Sequence, residues 1–131
     1  MRRLLDTHIA IWAVTGDDRL PPATADVIRD RSIEIYVSAA TLWEIAIKNA
    51  LPVARRNAIP LSAAEAADWF ERTALSILPV KAAHAIAVES LPPIHQDPFD
   101  RLLVAQATTE PMILLTHDAR LAAYGPMVER V

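Results

Sequence analysis

Short apolar runs alternate with helical stretches along the whole chain, and this alternation is the strongest constraint on its fold. Arg2 to Leu5, Ile33 to Val37, Leu75 to Val80 and Met112 to Leu115 are brief runs dominated by Leu, Ile and Val, as buried strands require. Between them lie stretches of helical spacing: Thr7 to Val14, Ala23 to Arg31, Ala39 to Asn49, Ser62 to Arg72, Ala82 to Ser90, and Pro98 to about Thr108. Asp118 to Ala123 reads as a short helix and Met127 to Val131 as an edge strand. Strands joined through helices pair in parallel, and parallel sheets are covered on both faces. The expectation is therefore an α/β fold. It is a three-layer α/β/α sandwich with a mostly parallel sheet of four to five strands, in one domain over residues 1–131.

The helix starts carry the most information. Ser62 and Glu65 have capping-box spacing. Ser38 reads as the cap of the helix after the second strand. In His95 to Ala107, Asp97 suits an N-cap and Pro98 the first helical position. Asp100 then falls three residues after the cap, where its carboxylate can fold back on the cap backbone. Leu51 to Pro60 is a proline-bounded, basic segment that reads as loop or broken helix. Trp12, Trp43 and Trp69 are expected in the core or against a partner.

Composition excludes several classes. The net charge is −3, so any polyanion would need a local basic rim. There are no cysteines, which removes disulfides and thiolate metal sites and suits a reducing, cytoplasmic setting. Asp6 and His8 interrupt the first apolar run, against a signal peptide, and no uncharged segment approaches the roughly 18 residues of a membrane span. With only Gly16 and Gly125, neither a P-loop nor a dinucleotide fingerprint can be written.

In a sheet of this kind, strand C-termini and helix N-termini share one edge, where ligand sites form. Asp6 follows the first strand, Asp118 the fourth, and Asp100 lies in the first turn of its helix. Glu44, less than two turns into its own helix, can reach back. Taken singly, Asp6, Asp100 and Asp118 also read as caps and Glu44 as a solvated helix residue. Taken together they form an acidic quartet. At an effective dielectric of about 20, two such charges about 4 Å apart repel by roughly 4 kcal/mol. Protons or cations must neutralise that charge, and oxygen-only ligands favour Mg²⁺ or Mn²⁺. Thr116 and Ser38 are hydroxyls that can orient the acids, a metal or a water, whereas Thr7 reads as a turn or cap residue. His8, His84, His95 and His117 show no zinc spacing and read as surface or supporting residues. An acidic pocket holding Mg²⁺ suits phosphoryl chemistry. A polynucleotide would also need basic contacts, and Lys48, Arg55, Arg56, Arg101 and Arg120 are the candidate rim.

Leu4 to His8, Ser38 to Lys48, His95 to Ala107 and Leu115 to Asp118 together resemble the PIN-domain family, above all the VapC-type toxins of toxin–antitoxin pairs. The resemblance spans nearly the whole chain. It implies a Mg²⁺-dependent endoribonuclease with Asp6, Glu44, Asp100 and Asp118 as catalytic, metal-holding acids and Thr116 as their polar companion. Asp97 would support them or cap the helix. It also implies a homodimer and a cognate antitoxin that inserts a basic segment into the acidic pocket. Such toxins often carry a Gly-Lys pair after the Glu-bearing helix, which Leu51 to Pro60 lacks, so substrate contacts there are expected to differ.

Two other readings compete. A phospho-acceptor signalling domain shares this size and sheet type but wants an aspartate ending the third strand, where Ile77 to Val80 has none. A non-catalytic module could use the acids only to capture a basic peptide.

Overall fold

The computed structural model describes residues 2–52 and 59–131. Arg55 and Arg56 lie outside the described residues. The chain runs through β1 (Arg2–Leu5), α1 (Thr7–Thr15), α2 (Pro22–Arg29), β2 (Glu34–Ser38), α3 (Ala39–Asn49) and α4 (Ala63–Arg72). It continues through β3 (Ser76–Leu78), α5 (Ala82–Ala87), α6 (Pro98–Thr109), β4 (Ile113–Thr116) and β5 (Val128–Arg130). The five strands form one sheet in the order β3-β2-β1-β4-β5, and each of these pairings is parallel.

Register explains the three layers. Leu4 pairs with Tyr36 and Leu114, and Leu5 with Val37 and Leu115. Successive residues of a strand face opposite ways. Leu5, Val37 and Leu115 accordingly pack with Ile9, Trp12, Ile45 and Phe70 on one face. Leu4 and Leu114 pack with Leu103, Val104, Leu121 and Val128 on the other. The strand order turns back beside β1, whose neighbours are β2 on one side and β4 on the other. That reversal is where an open parallel sheet leaves a crevice past its strand ends. Asp6 comes next after β1, and Thr116 is the last residue of β4.

Local chemistry moves several expected boundaries. β3 stops at Leu78 because Pro79 has no N–H to offer the neighbouring strand. The helix expected through Ser90 ends at Ala87 and tightens into a 3₁₀ turn over Val88–Ser90. No α-helix forms at Asp118 to Ala123. There the Asp118 carboxylate accepts the Arg120 N–H at 2.9 Å, holding a turn, and a 3₁₀ segment follows over Leu121–Tyr124. Trp12 is buried, but Trp43 and Trp69 are 60% and 45% exposed and so lie outside this chain's core. His84 and His95 are buried rather than at the surface. Among the described residues, no helix is long and apolar enough to cross a membrane.

Candidate metal centre

Asp6 N-caps α1. Its Oδ1 accepts the Ile9 N–H at 2.9 Å, and its Oδ2 accepts a hydrogen bond from the Thr116 hydroxyl. The side chain is buried. Burial pushes its pKa up, opposed by the hydrogen bonds from Thr116 and Ile9.

Thr7 does more than start a helix. Its hydroxyl donates to Glu44 Oε1 at 2.6 Å and lies 3.2 Å from the Thr41 hydroxyl, which must then be the donor to Thr7. Glu44 is buried on α3, and one turn later Lys48 Nζ lies 2.7 Å from its Oε2. Ser38 accepts the Ala40 N–H at 3.0 Å and acts as the cap of α3.

Asp97 caps α6, accepting the N–H groups of Phe99 and Asp100 at 2.8 and 3.2 Å. The expected return bond from Asp100 is not made. The Asp97 N–H instead donates to His95 Nδ1 at 3.0 Å, which leaves the Asp100 carboxylate free of the cap. Burial, then the charges of Asp97, Asp6 and Glu44, push Asp100 up to about 7 against the pull of His95. Asp6, Glu44 and Asp100 therefore share one electrostatic neighbourhood. Two of them are held above the usual carboxylate range, chiefly by burial and further by their neighbouring carboxylates. The donor set fits a hard divalent cation: the residues offer carboxylate oxygens, and added positive charge relieves their shifts.

Asp118 differs. Burial raises it, but the Arg120 N–H, His95 and the Arg120 guanidinium together hold it down to about 2. Its own N–H donates to the Thr116 hydroxyl at 3.0 Å, so Thr116 links Asp118 to Asp6. His95 joins the acids from a loop: Nε2 is 2.9 Å from Asp118 Oδ2 and 3.6 Å from Asp100 Oδ2. One ligand atom each from His95, Asp100 and Asp118 lie within 4.8 Å of one another. Of the two places expected for His95, surface or support, the structure gives it the second, and no second histidine at metal spacing marks it in the sequence. Its place two residues before the Asp97 cap was the available signal.

Residues 3–125 match the PIN domain family. The chain belongs to that family. It is also 32% identical over 126 residues to Ribonuclease VapC22 of Mycobacterium tuberculosis (strain ATCC 25618 / H37Rv), covering 92% of this chain and 90% of the relative. Two solved structures share the fold at a TM-score of 0.67. One is VapBC2 from Rickettsia felis bound to a DNA fragment from their promoter, 16% identical over 99% of this chain and 98% of its match. The other is DNA-bound VapBC from Salmonella typhimurium, 17% identical with the same coverage.

Among the described residues, the rim of this PIN domain is less basic than its sequence suggests. Lys48 is paired with Glu44. Arg101 donates to the carbonyls of Val88, Pro92 and His95 and to the Tyr124 hydroxyl, so its guanidinium braces a loop. Arg120 lies against Asp118 with its side chain 71% exposed. A groove of about 360 Å³ lies beside Thr7 and Lys48, lined also by His8, Trp12, Arg19 and Pro60. A wider one of about 710 Å³, among Val14, Ile28, Ile33 and Leu75, lies away from the acids.

Proposed function

We propose that this PIN domain is a Mg²⁺-dependent endoribonuclease, with Mn²⁺ as a substitute ion, and the toxin of a VapBC-type pair. The observation that carries the reading is the convergence of the buried Asp6 and Glu44 with the partly buried Asp100 past the point where the strand order reverses. Asp6 and Asp100 would hold the ion, with Glu44 and Asp118 completing the charge. Thr116 fixes the rotamer of Asp6, Asp97 fixes the start of α6, and Thr7 fixes Glu44. When bound, the ion supplies positive charge to a phosphodiester and makes water a better nucleophile. The chain's own part is to exclude bulk water from buried carboxylates and keep them pre-aligned.

The relative named as a ribonuclease supports RNA as substrate, and the VapBC neighbours support an antitoxin partner. An antitoxin segment bearing arginine can neutralise the same acids without an ion. The remaining parts of the reading are a homodimer and a place in the cytoplasm. Among the described rim residues, Arg120, exposed and paired with Asp118, is the proposed contact for RNA.

The test is cleavage of single-stranded RNA with Mg²⁺, with and without excess EDTA, in wild type, Asp6→Asn and Asp100→Asn. Loss of cleavage in EDTA and in both variants, with folding retained, is the expected result. Full activity in EDTA overturns the proposal.

A further inference from the structure

Asp6, Asp100 and Asp118 are not equally available to a cation. A carboxylate offers about four lone-pair sites. Asp118 receives four contacts: the Arg120 N–H at 2.9 Å and Arg120 Nε at 3.4 Å on Oδ1, then His95 Nε2 at 2.9 Å and an Arg120 terminal nitrogen at 3.2 Å on Oδ2. Asp6 receives two, from Ile9 and Thr116. The Asp100 carboxylate accepts no hydrogen bond among the described residues, and His95 Nε2 lies 3.6 Å from its Oδ2.

The protonation pattern of His95 follows from its partners. A backbone N–H can only donate, so Nδ1, 3.0 Å from the Asp97 nitrogen, carries no proton. In the neutral ring the proton then sits on Nε2 and donates to Asp118. That leaves no lone pair on Nε2 for a metal, although His95, Asp100 and Asp118 are clustered closely enough to suggest one. The loop holding His95 is braced as well. The His95 N–H donates to the Tyr124 hydroxyl at 2.9 Å, and Arg101 bonds both that hydroxyl and the His95 carbonyl, at 3.1 and 3.4 Å.

We infer that Asp118 and His95 form one positioning unit: Asp118 fixes the Nε2–H edge of His95 beside Asp100, and Asp118 is not itself a ligand of the cation. This rests on the metal-dependent reading above, and it assigns Asp118 to the histidine and leaves the ion to Asp6 and Asp100.

Gln and Asn separate the two duties of His95. A Gln amide nitrogen falls near the position of Nε2 and can still donate to Asp118. An Asn oxygen falls near Nδ1 and can still accept the Asp97 N–H. RNA cleavage is measured in full-length wild type, His95→Gln, His95→Asn, Asp118→Asn and the His95→Asn/Asp118→Asn double variant. Mn²⁺ affinity is measured on the same proteins and Asp6→Asn by electron paramagnetic resonance.

His95→Asn and Asp118→Asn are expected to lower kcat by a similar factor, roughly 10–100-fold, with KM unchanged. The double variant should fall no further, and His95→Gln should recover most of the loss. Asp118→Asn, which removes a nearby charge but no ligand, should weaken Mn²⁺ binding only about two- to threefold, whereas Asp6→Asn should weaken it at least roughly tenfold. The proposal is overturned if Asn rescues rather than Gln, if the two losses multiply, or if Asp118→Asn loses Mn²⁺ as Asp6→Asn does. Long-range ¹H–¹⁵N NMR of the metal-free protein locates the imidazole proton directly, independently of RNA cleavage. A His95 proton on Nε2 upholds the unit even if the chain proves not to be a ribonuclease, and a proton on Nδ1 ends it.

Discussion

The Thr116 hydroxyl donates to the Asp6 carboxylate from 110 residues further along the chain. Both residues are buried, and each stands at the end of one of two adjacent parallel strands. Thr116→Val removes the donor while keeping the shape. It should cost about 1–3 kcal/mol in urea denaturation, because Asp6 is left buried with one donor fewer, and RNA cleavage should fall with it. Thr116→Ser should retain most of both.

Lys48 and Glu44 are one helical turn apart, with the carboxylate the more buried partner. Lys48→Met leaves Glu44 with Thr7 as its only close donor among the described residues. Unfolding free energy should drop by up to about 3 kcal/mol, and the Glu44→Gln/Lys48→Met double variant should recover much of it, since no unpaired charge remains. Chemical denaturation of the three proteins checks this. Equal stability of the single and double variants would contradict it.

Stability without metal should depend on pH in two opposite ways. Asp100 is raised from 3.8 to about 7, so between those values the folded protein binds more protons than the unfolded chain. Unfolding free energy should then fall as pH rises through that window, and Asp6 adds in the same direction. Asp118 is lowered to about 2, so its contribution is present above the unfolded value and is lost as pH falls through about 2. Thermal melts in EDTA should show the decline from about pH 4 to about pH 7 in wild type and a flatter profile in Asp100→Asn. A profile for Asp100→Asn as steep as wild type would show that this carboxyl is not the group responsible.

Ser38 separates capping from ion binding. Its hydroxyl accepts the Ala40 N–H at 3.0 Å. Ser38→Ala should therefore cost about 1 kcal/mol of stability and leave Mn²⁺ affinity where it was. A tenfold loss of Mn²⁺ affinity would show that the hydroxyl serves the acids directly.

Residues whose signal is local were legible in the sequence. The strand-helix alternation, the Ser62 capping box and the Asp97 cap depend on neighbours within a few positions, and all three are formed. Asp6 and Asp100 could be placed on one edge because strand ends and helix starts share it. The pairings that set each acid's character could not be read this way. Thr7 meets Glu44 across 37 residues, and His95 meets Asp118 across 23, through a loop with no periodicity. Arg101 looked like a rim cation because its charge is visible in sequence, while the four oxygens that engage it are not. Trp43 is expected in the core or against a partner, and the sequence does not choose between them. Trp43 is largely exposed, standing edge-on to Phe99 with ring centroids 5.1 Å apart.

The sheet places its first strand in the middle and leaves one flank of that strand to be filled by β4. During synthesis that segment must therefore wait, with Asp6 still lacking the hydroxyl that restrains it, until Thr116 has emerged. If cleavage needs that restraint, a growing chain that has not reached Thr116 stays harmless to the ribosome and message producing it, and fragments that end before Thr116 are harmless as well.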